Sequence, residues 1–216
     1  MAGLTGLLPP DVVVVEGTGG DPTEVLPVER AHVARAVPKR QAEFEQGRTC
    51  ARRALRRLGI EGWALLPGPK REPRWPPGVV GAITHTDGYV AAAVARRPAG
   101  WSLGIDAEQR APLPDGVADL VCTGLEQRWS AARTGDGVPW EAVVFSAKES
   151  VFKAWFPLTG RWLGYLDADI DLDPEAGTFR VLALRSDADR PAPADYRGRF
   201  LVTSDLILTT AVVEPG

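Results

Sequence analysis

The sequence predicts an α/β (α+β) protein of two similar lobes, one formed by residues 1–100 and the other by residues 101–216. Short apolar runs between turn residues, which are typical of buried strands, occur in both halves of the chain. Each half also contains a long stretch in which apolar residues recur at helical spacing. Because both halves combine a long helix with several strands, we expect two lobes of the same type, although no repeat is visible as sequence identity.

The first half places one helical stretch between strands. The helical spacing covers residues 28–58, with a break near Pro38 and an end at Gly59, since glycine commonly follows the last turn of a helix. Apolar runs bounded by turn residues predict strands at residues 12–16, 79–84 and 89–95.

The second half begins with a strand, predicted at residues 101–108. Helical spacing then predicts helices at residues 117–133 and 143–156, the second ending at Pro157. Apolar runs separated by Pro, Asp and Gly predict further strands at residues 168–172, 178–184 and 200–213.

Composition indicates a globular cytoplasmic protein that binds neither nucleic acid nor membranes. Hydrophobic residues make up 44% of the chain, and a net charge of -3 argues against a broad basic surface for nucleic acid. Cys50 and Cys122 stand alone, without the spacing of a disulfide framework or a zinc site. The first residues lack the basic segment of a signal peptide, and no stretch approaches the ~20 apolar residues that span a bilayer.

An arginine-rich segment, EFEQGRTCARRALRRLG, occupies the end of the first predicted helix. At about 100° per residue, Arg48, Arg52 and Arg56 share one edge of its apolar stripe, whereas Arg53 and Arg57 point away. These arginines either lie in solvent around a core face or form a row of guanidinium groups that binds phosphate.

Thr84 and His85 end the strand predicted at residues 79–84. They either belong to a polar hairpin turn or reach an anionic ligand from a rigid strand end.

Asp106 and Glu108 lie two residues apart in the segment SLGIDAE. Because alternate residues of a strand share a face, their carboxylates should project together. They are either solvated acids at a strand end or, since neighbouring carboxylates repel each other without a cation, ligands for Mg²⁺.

Glu149 lies among lysines in the segment FSAKESVFKAW. With Ser146 as the N-cap, Lys148 and Glu149 are predicted in the first helical turn. Glu149 and Lys153 are four residues apart, so a surface ion pair of ~0.3 kcal/mol would explain them. The flanking Phe and Trp residues predict a buried helix instead, in which the carboxylate needs a metal and the lysines need phosphate oxygens. Together, these segments indicate transfer of a phosphoryl-type group.

In the same order and with similar spacing, these segments resemble the Sfp-type 4'-phosphopantetheinyl transferases. The segments are GRTCARRAL, KREPRWPPGVVGAITHTDGY, SLGIDAE and FSAKESVFKAWFPLTGRWLGY. The resemblance covers about residues 43–170, and its most specific part is GID-x-E followed by KE-x-x-x-K. It is strongest to the bacterial branch of enterobactin synthase component D and the actinobacterial enzymes that serve polyketide synthases, nonribosomal peptide synthetases and siderophore biosynthesis.

The resemblance implies transfer of the phosphopantetheine arm of coenzyme A, the co-substrate, to a serine of an apo carrier protein, with release of adenosine 3',5'-bisphosphate. It implies Mg²⁺ ligands at Asp106, Glu108 and Glu149, and contacts of Lys153 with the pyrophosphate and of Lys148 with the phosphates. The nucleotide pocket would use Thr84 and His85 for the 3'-phosphate, together with Arg48, Lys70 and either Arg52 or Arg56. The family pattern differs at Arg71, where a glycine is common, and at Ala82, which replaces a small polar residue.

The resemblance also implies pseudo-twofold symmetry of the lobes and a monomeric state. The serine proton would go to Glu149 or Glu108, directly or through water. Because carrier proteins are acidic, we expect a docking surface that includes Arg110, Arg128 and Trp129. Two rival functions use the same residues: another Mg²⁺-dependent nucleotide or pyrophosphate enzyme, and a non-catalytic subunit that binds coenzyme A or carrier protein.

Overall fold

The structure is a computed structural model that describes residues 3–98, 100–184 and 196–214. It divides into two compact units, and we call Pro9–Pro98 the N-terminal unit and Met1–Leu8 with Ala99–Gly216 the C-terminal unit. Each unit combines helices with an antiparallel sheet, so the predicted mixed α/β class is confirmed. The predicted pseudo-twofold symmetry and the assignment of separate roles to residues 1–100 and 101–216 stay predictions.

The N-terminal unit packs one long helix on a three-stranded sheet. Its elements are β1 (Val13–Gly17), α1 (Pro27–Arg30), α2 (Pro38–Arg57), β2 (Val79–Thr86) and β3 (Tyr89–Arg96). The strand order is β1-β3-β2, and the central strand β3 is a run of small, buried residues from Val90 to Ala95. A Cβ atom added to Gly47 would lie 3.0 Å from Ile83 Cγ2, which shows how closely α2 approaches the sheet at this glycine.

The C-terminal unit packs α5 on a five-stranded antiparallel sheet with the order β4-β8-β7-β6-β5. Its elements are β4 (Ser102–Gln109), α3 (Val117–Val121), α4 (Gly124–Ala131), α5 (Trp140–Thr159), β5 (Ala168–Asp173), β6 (Thr178–Leu184), β7 (Tyr196–Val202) and β8 (Leu206–Val213). A Cβ atom on Gly104 would lie 1.9 Å from the carbonyl oxygen of Ser150, so only glycine lets α5 lie this close to β4. That approach brings the polar end of β4 against the middle of α5.

The predicted start of the helix that carries Glu149 is wrong. Helix α5 begins at Trp140 after Pro139, and Ser146 is fully buried in its interior rather than at its N-cap. The Ser146 hydroxyl donates a hydrogen bond to Asp106 Oδ2 at 2.8 Å, so it links helix to strand instead of capping the helix. Pro157 lies within the last turn of α5, which continues to Thr159.

Three other predicted elements are divided in the structure. The helix predicted at residues 117–133 is interrupted where Thr123 caps α4, and the strand predicted at residues 200–213 is interrupted by a turn at residues 203–205. The helical stretch at residues 28–58 contains α1 and α2, with the predicted break before Pro38. In the part of the chain that the structure describes, no helix is long and apolar enough to cross a membrane.

Candidate active site

Asp106 of β4 is bound by two side chains of α5. It is 3% exposed, and its Oδ1 accepts a hydrogen bond from Lys153 Nζ at 2.7 Å. Its Oδ2 accepts one from the Ser146 hydroxyl. Lys153 Nζ also donates to the carbonyl oxygen of Ile105 at 3.1 Å, which leaves one of its three hydrogens for another acceptor. The structure therefore brings together Asp106 and Lys153, as the sequence predicts for one site.

Glu108, two residues after Asp106 on β4, has a half-buried carboxylate. Burial raises its pKa to about 7, with a further contribution from the negative charges of Asp106 and Glu149, which Lys153 partly offsets. Glu108 has no side-chain hydrogen bond or ion pair with the residues that the structure describes. A half-buried carboxylate with like-charged neighbours and no donor of its own is suited to receive a cation.

Glu149 is half-buried in the interior of α5, and its Oε1 accepts a hydrogen bond from the hydroxyl of Tyr165. Burial and the bond to Glu149 raise the pKa of Tyr165, so the phenol stays a donor at neutral pH. Tyr165 was not among the predicted site residues, although it ends the segment that carries the family resemblance. No signal in the sequence spacing links it to Glu149, which lies 16 positions earlier.

The donor chemistry of these residues fits Mg²⁺, although their side chains are not drawn together as a metal site. Across residues 3–98, 100–184 and 196–214, no three His, Cys, Asp or Glu side chains are grouped closely enough to hold a metal ion. Lys153 and Tyr165 instead bind two of the predicted ligands, Asp106 and Glu149. Carboxylate oxygens such as those of Asp106, Glu108 and Glu149 are the ligands that a hard divalent cation prefers.

Lys148 does not join this cluster. Its ammonium donates to Glu126 Oε2 at 2.6 Å and to the carbonyl oxygens of Val121 and Tyr165, both at 2.8 Å. These three bonds use all its hydrogens, and the residue is 3% exposed. The expected contact of Lys148 with phosphate is therefore corrected: the structure places the side chain in a buried ion pair inside its own unit.

Glu126, which sequence analysis also missed, is the centre of that buried pair. Its Oε2 accepts from the backbone N–H of Thr123 at 2.7 Å, and its Oε1 accepts from the N–H of Ile170 at 2.7 Å. The carboxylate thereby joins the start of α4, the middle of α5 and the start of β5. The Thr-x-x-Glu pattern at Thr123 is the sequence signature of a capping box, so it could have predicted that Glu126 binds the backbone at the start of a helix.

In the N-terminal unit, the guanidinium of Arg48 on α2 is buried and forms no ion pair with the residues that the structure describes. It is 7% exposed and stacks 4.3 Å above the centre of the Phe44 ring. Burial lowers its pKa to about 10, and its Nε has no hydrogen-bond partner among the described residues. Burying such a group is costly unless an anion pairs with it, so the geometry supports Arg48 as a ligand-binding residue.

The other arginines of the predicted row are bound by glutamates of the same unit. Arg52 Nη2 lies 2.6 Å from both carboxylate oxygens of the fully buried Glu29. Arg53 and Arg56 both pair with Glu24. Segments that precede α2 supply these carboxylates, so Arg52 and Arg56 are both paired within the unit.

Thr84 and His85 lie near the end of β2, on opposite faces of the strand. Thr84 is buried, whereas His85 is exposed, with its Nε2 3.2 Å from Glu43 Oε2 and 3.4 Å from Arg40 Nη1. A cavity of about 430 Å³ adjoins His85, lined also by Lys39, Ala42, Glu43, Gln46, Thr86, Asp87 and Gly88. Helix α2 adds two cations near His85, Lys39 and Arg40, which no motif in the sequence singles out.

Lys70 is exposed and precedes a strained turn. Arg71 has a φ of 71°, the only positive value at a non-glycine residue in the described ranges, so the position at which the family commonly has glycine is left-handed here. The N–H of Lys70 donates to Glu72 Oε2 at 2.9 Å, which holds the turn closed. The turn is thus formed despite the missing glycine.

The residues predicted for docking differ in their availability. Arg110 donates to the carbonyl oxygens of Thr203 and Gly137. Trp129 is partly buried and packs edge-on against the core residue Trp140, with ring centres 5.3 Å apart. Arg128 is exposed and borders a cavity of about 690 Å³ that is lined by residues of α4 and the adjoining loops.

Comparison with known proteins gives matches along most of the chain. The model of the 4'-phosphopantetheinyl transferase N-terminal domain matches residues 28–95, and that of the 4'-phosphopantetheinyl transferase superfamily matches residues 102–202. The chain is 48% identical to 4'-phosphopantetheinyl transferase Svp of Streptomyces mobaraensis, over 89% of this chain and 80% of that protein. It is 42% identical to 4'-phosphopantetheinyl transferase PptT of Mycobacterium tuberculosis, over 87% of this chain and 86% of that protein. Enterobactin synthase component D of Escherichia coli O157:H7 is 34% identical to this chain, over 57% of this chain and 59% of that protein.

Proposed function

Because the chain belongs to the 4'-phosphopantetheinyl transferase superfamily, we propose that it transfers the 4'-phosphopantetheine group of coenzyme A to a serine of an apo carrier protein. The prediction of an enzyme of this family is confirmed. Its dependence on Mg²⁺, its acceptor serine and the release of adenosine 3',5'-bisphosphate are parts of the proposal. The observation that carries it is the carboxylate cluster of Asp106 and Glu108 beside Glu149 and Lys153.

We assign the metal to Asp106, Glu108 and Glu149. Bound there, Mg²⁺ would neutralise charge on the pyrophosphate of coenzyme A and make the bridging oxygen a better leaving group. Glu108 supports this assignment, because a shared cation would compensate both the burial and the like charges that raise the pKa of its carboxyl.

Lys153 binds the pyrophosphate in this proposal. Its Nζ lies 2.7 Å from Asp106 and is partly exposed, with 26% of the side chain accessible. Its remaining hydrogen is available for a phosphate oxygen, and a fixed ammonium stabilises the negative charge that develops in the transfer.

Glu108 is the better candidate to accept the proton of the attacking serine. Its carboxylate has no competing donor among the described residues, whereas Glu149 accepts the Tyr165 hydroxyl. A base needs a free lone pair within reach of the proton that it removes.

The nucleotide end of coenzyme A is assigned to the N-terminal unit. Arg48 supports this assignment as a buried guanidinium that has no ion pair among the described residues, and the cavity at His85 supports it as a polar recess beside Lys39. Thr84 and Lys70 stay in the proposed pocket. Arg52 and Arg56 leave it, because Glu29 and Glu24 already bind them.

The proposed partner is an acidic apo carrier protein of a fatty-acid, polyketide, peptide or siderophore pathway. The exposed Arg128 is the docking residue that the structure leaves available, and the chain is proposed to act as a cytoplasmic monomer. If Arg128 contacts the carrier, Arg128→Glu should reduce carrier modification without changing the affinity for coenzyme A.

Intact-protein mass spectrometry tests the proposed reaction. An apo carrier protein incubated with this protein, coenzyme A and Mg²⁺ should gain the mass of one phosphopantetheine arm. Glu149→Gln, which keeps the shape of the side chain without its charge, should abolish the gain, as should EDTA. No gain on acyl, aryl and peptidyl carriers would contradict the proposal. Pyrophosphate cleavage without a carrier product would then favour the rival Mg²⁺-dependent enzyme.

A further inference from the structure

We propose that Tyr165 is a positioning residue of the transferase, whose hydroxyl orients the Glu149 carboxylate while Lys148 fixes the Tyr165 backbone. The inference rests on the proposed function, because it concerns the orientation of the Glu149 carboxylate, which is a proposed metal ligand. It gives Tyr165 and Lys148 roles that differ from contact with coenzyme A.

Three residues on one face of α5 hold Tyr165. The Phe145 ring lies 5.6 Å from the Tyr165 ring, Lys148 Nζ donates to the Tyr165 carbonyl oxygen, and Glu149 accepts the Tyr165 hydroxyl. Positions three and four residues apart face the same way on a helix, so Phe145, Lys148 and Glu149 form one continuous contact surface. The ring, the backbone and the hydroxyl of Tyr165 are thus each fixed by α5.

The buried ion pair of Glu126 and Lys148 helps to fix the position of Tyr165. Lys148 is held by Glu126, which is 2% exposed and also binds the N–H of Ile170, five residues after Tyr165. A buried ion pair therefore anchors the strand-side end of the segment that carries Tyr165. The contacts run from Glu126 through Lys148 to the Tyr165 backbone, and from its hydroxyl to Glu149.

The Tyr165 hydroxyl has a direct consequence for the carboxylate. A half-buried glutamate on a helix has three rotatable side-chain bonds, and one donor to Oε1 selects the rotamers in which Oε2 remains available. Hydrogen bonds to metal-ligating carboxylates typically change metal affinity by about 10-fold to 100-fold. Lys148 thus serves the site through Tyr165, which explains why a lysine directly precedes Glu149 without pointing to a phosphate.

Tyr165→Phe tests the inference, with Tyr196→Phe as the matched control. Both changes remove one phenol oxygen in the C-terminal unit, but the buried Tyr196 hydroxyl has no hydrogen-bond partner among the described residues. Mn²⁺ is the probe, and its free concentration is measured by electron paramagnetic resonance with the full-length protein and coenzyme A. We expect Tyr165→Phe to raise the dissociation constant for Mn²⁺ about tenfold and Tyr196→Phe to leave it unchanged.

Two further readouts separate positioning from general structure. The melting temperature of Tyr165→Phe should stay within a few degrees of the wild type, and excess Mg²⁺ should restore its kcat. An unchanged Mn²⁺ dissociation constant in Tyr165→Phe would overturn the inference while leaving the proposed function intact. Wild-type protein that retains no Mn²⁺ would overturn the proposed metal site, and the inference with it.

Discussion

The two long helices, α2 and α5, are anchored by the same kind of contact but present opposite charges. In each unit a buried glutamate binds a cation of the long helix: Glu29 binds Arg52, and Glu126 binds Lys148. Beyond these pairs, α2 carries the buried cation Arg48, whereas α5 faces the carboxylate Glu108 on β4. The two helices are thus anchored alike, although the site at Arg48 is suited to an anion and the site at Glu108 is suited to a cation.

The two buried pairs correspond in detail. Glu29 and Glu126 each occupy the third position of a short helix and accept the N–H of the residue that caps it. Each also accepts an N–H from a later segment, at Leu65 and at Ile170. This correspondence is what two similar lobes would produce, and it was not visible as sequence identity.

The largest effects are expected from removing these glutamates. Glu29→Ala and Glu126→Ala each leave a buried cation without its partner, which typically costs about 3–5 kcal/mol of unfolding free energy. Urea denaturation followed by tryptophan fluorescence measures the loss. The control Glu24→Ala removes more exposed pairs with Arg53 and Arg56, and should cost about 1 kcal/mol or less. Equal costs for all three variants would break the comparison between the units.

A smaller, pH-dependent effect is expected at Glu108. In the metal-free protein its pKa is about 7, against 4.5 in an ordinary glutamate, so the folded state keeps a proton between these values that the unfolded chain releases. This contribution to stability is therefore lost as the pH rises from 4.5 through 7. Glu108→Gln removes the effect. In EDTA, the melting temperature of the variant minus that of the wild type should therefore increase from pH 5 to pH 8. A constant difference across that range would contradict a raised pKa.

The smallest effect is expected at the turn beside Lys70. Arg71→Gly relieves the left-handed backbone at a φ of 71° and should stabilise the protein by up to about 1 kcal/mol, after the conformational entropy of glycine is subtracted. Gly78→Ala is the matched change in the opposite direction, because Gly78 has a φ of 73° and open space around its Cβ position. Thermal denaturation should show opposite signs for the two variants, and a destabilised Arg71→Gly would show that the arginine side chain matters more than the strain.

Local spacing predicted much of what the structure contains. The two-residue repeat of SLGIDAE correctly predicted a strand that carries Asp106 and Glu108, because that period needs no knowledge of distant residues. The helical period likewise predicted that α5 contains Glu149 and Lys153. The start of α5 was misjudged, because Ser146 is a common capping residue whose hydroxyl here serves Asp106 instead.

Long-range pairing could not be predicted in the same way. Glu126 lies 22 positions before Lys148, and Glu29 lies 23 positions before Arg52, so neither pair has a local period. The sequence therefore offered Lys148 and Arg52 as free cations for phosphate, and only the fold shows the glutamates that bind them. Tyr165 was missed for the same reason, because the chain must fold back along α5 to reach Glu149.

Isothermal titration of coenzyme A, with and without Mg²⁺, most directly tests the different roles proposed for Arg48 and Glu108. Arg48→Met should weaken binding by the same factor in both conditions, because the proposed contact is with a phosphate and not with the metal. Glu108→Gln should leave the affinity without Mg²⁺ unchanged and remove the gain that Mg²⁺ produces. A loss of the Mg²⁺ effect in Arg48→Met, or an unchanged Mg²⁺ effect in Glu108→Gln, would contradict the assignment of a coenzyme A phosphate to Arg48 and of the metal to Glu108.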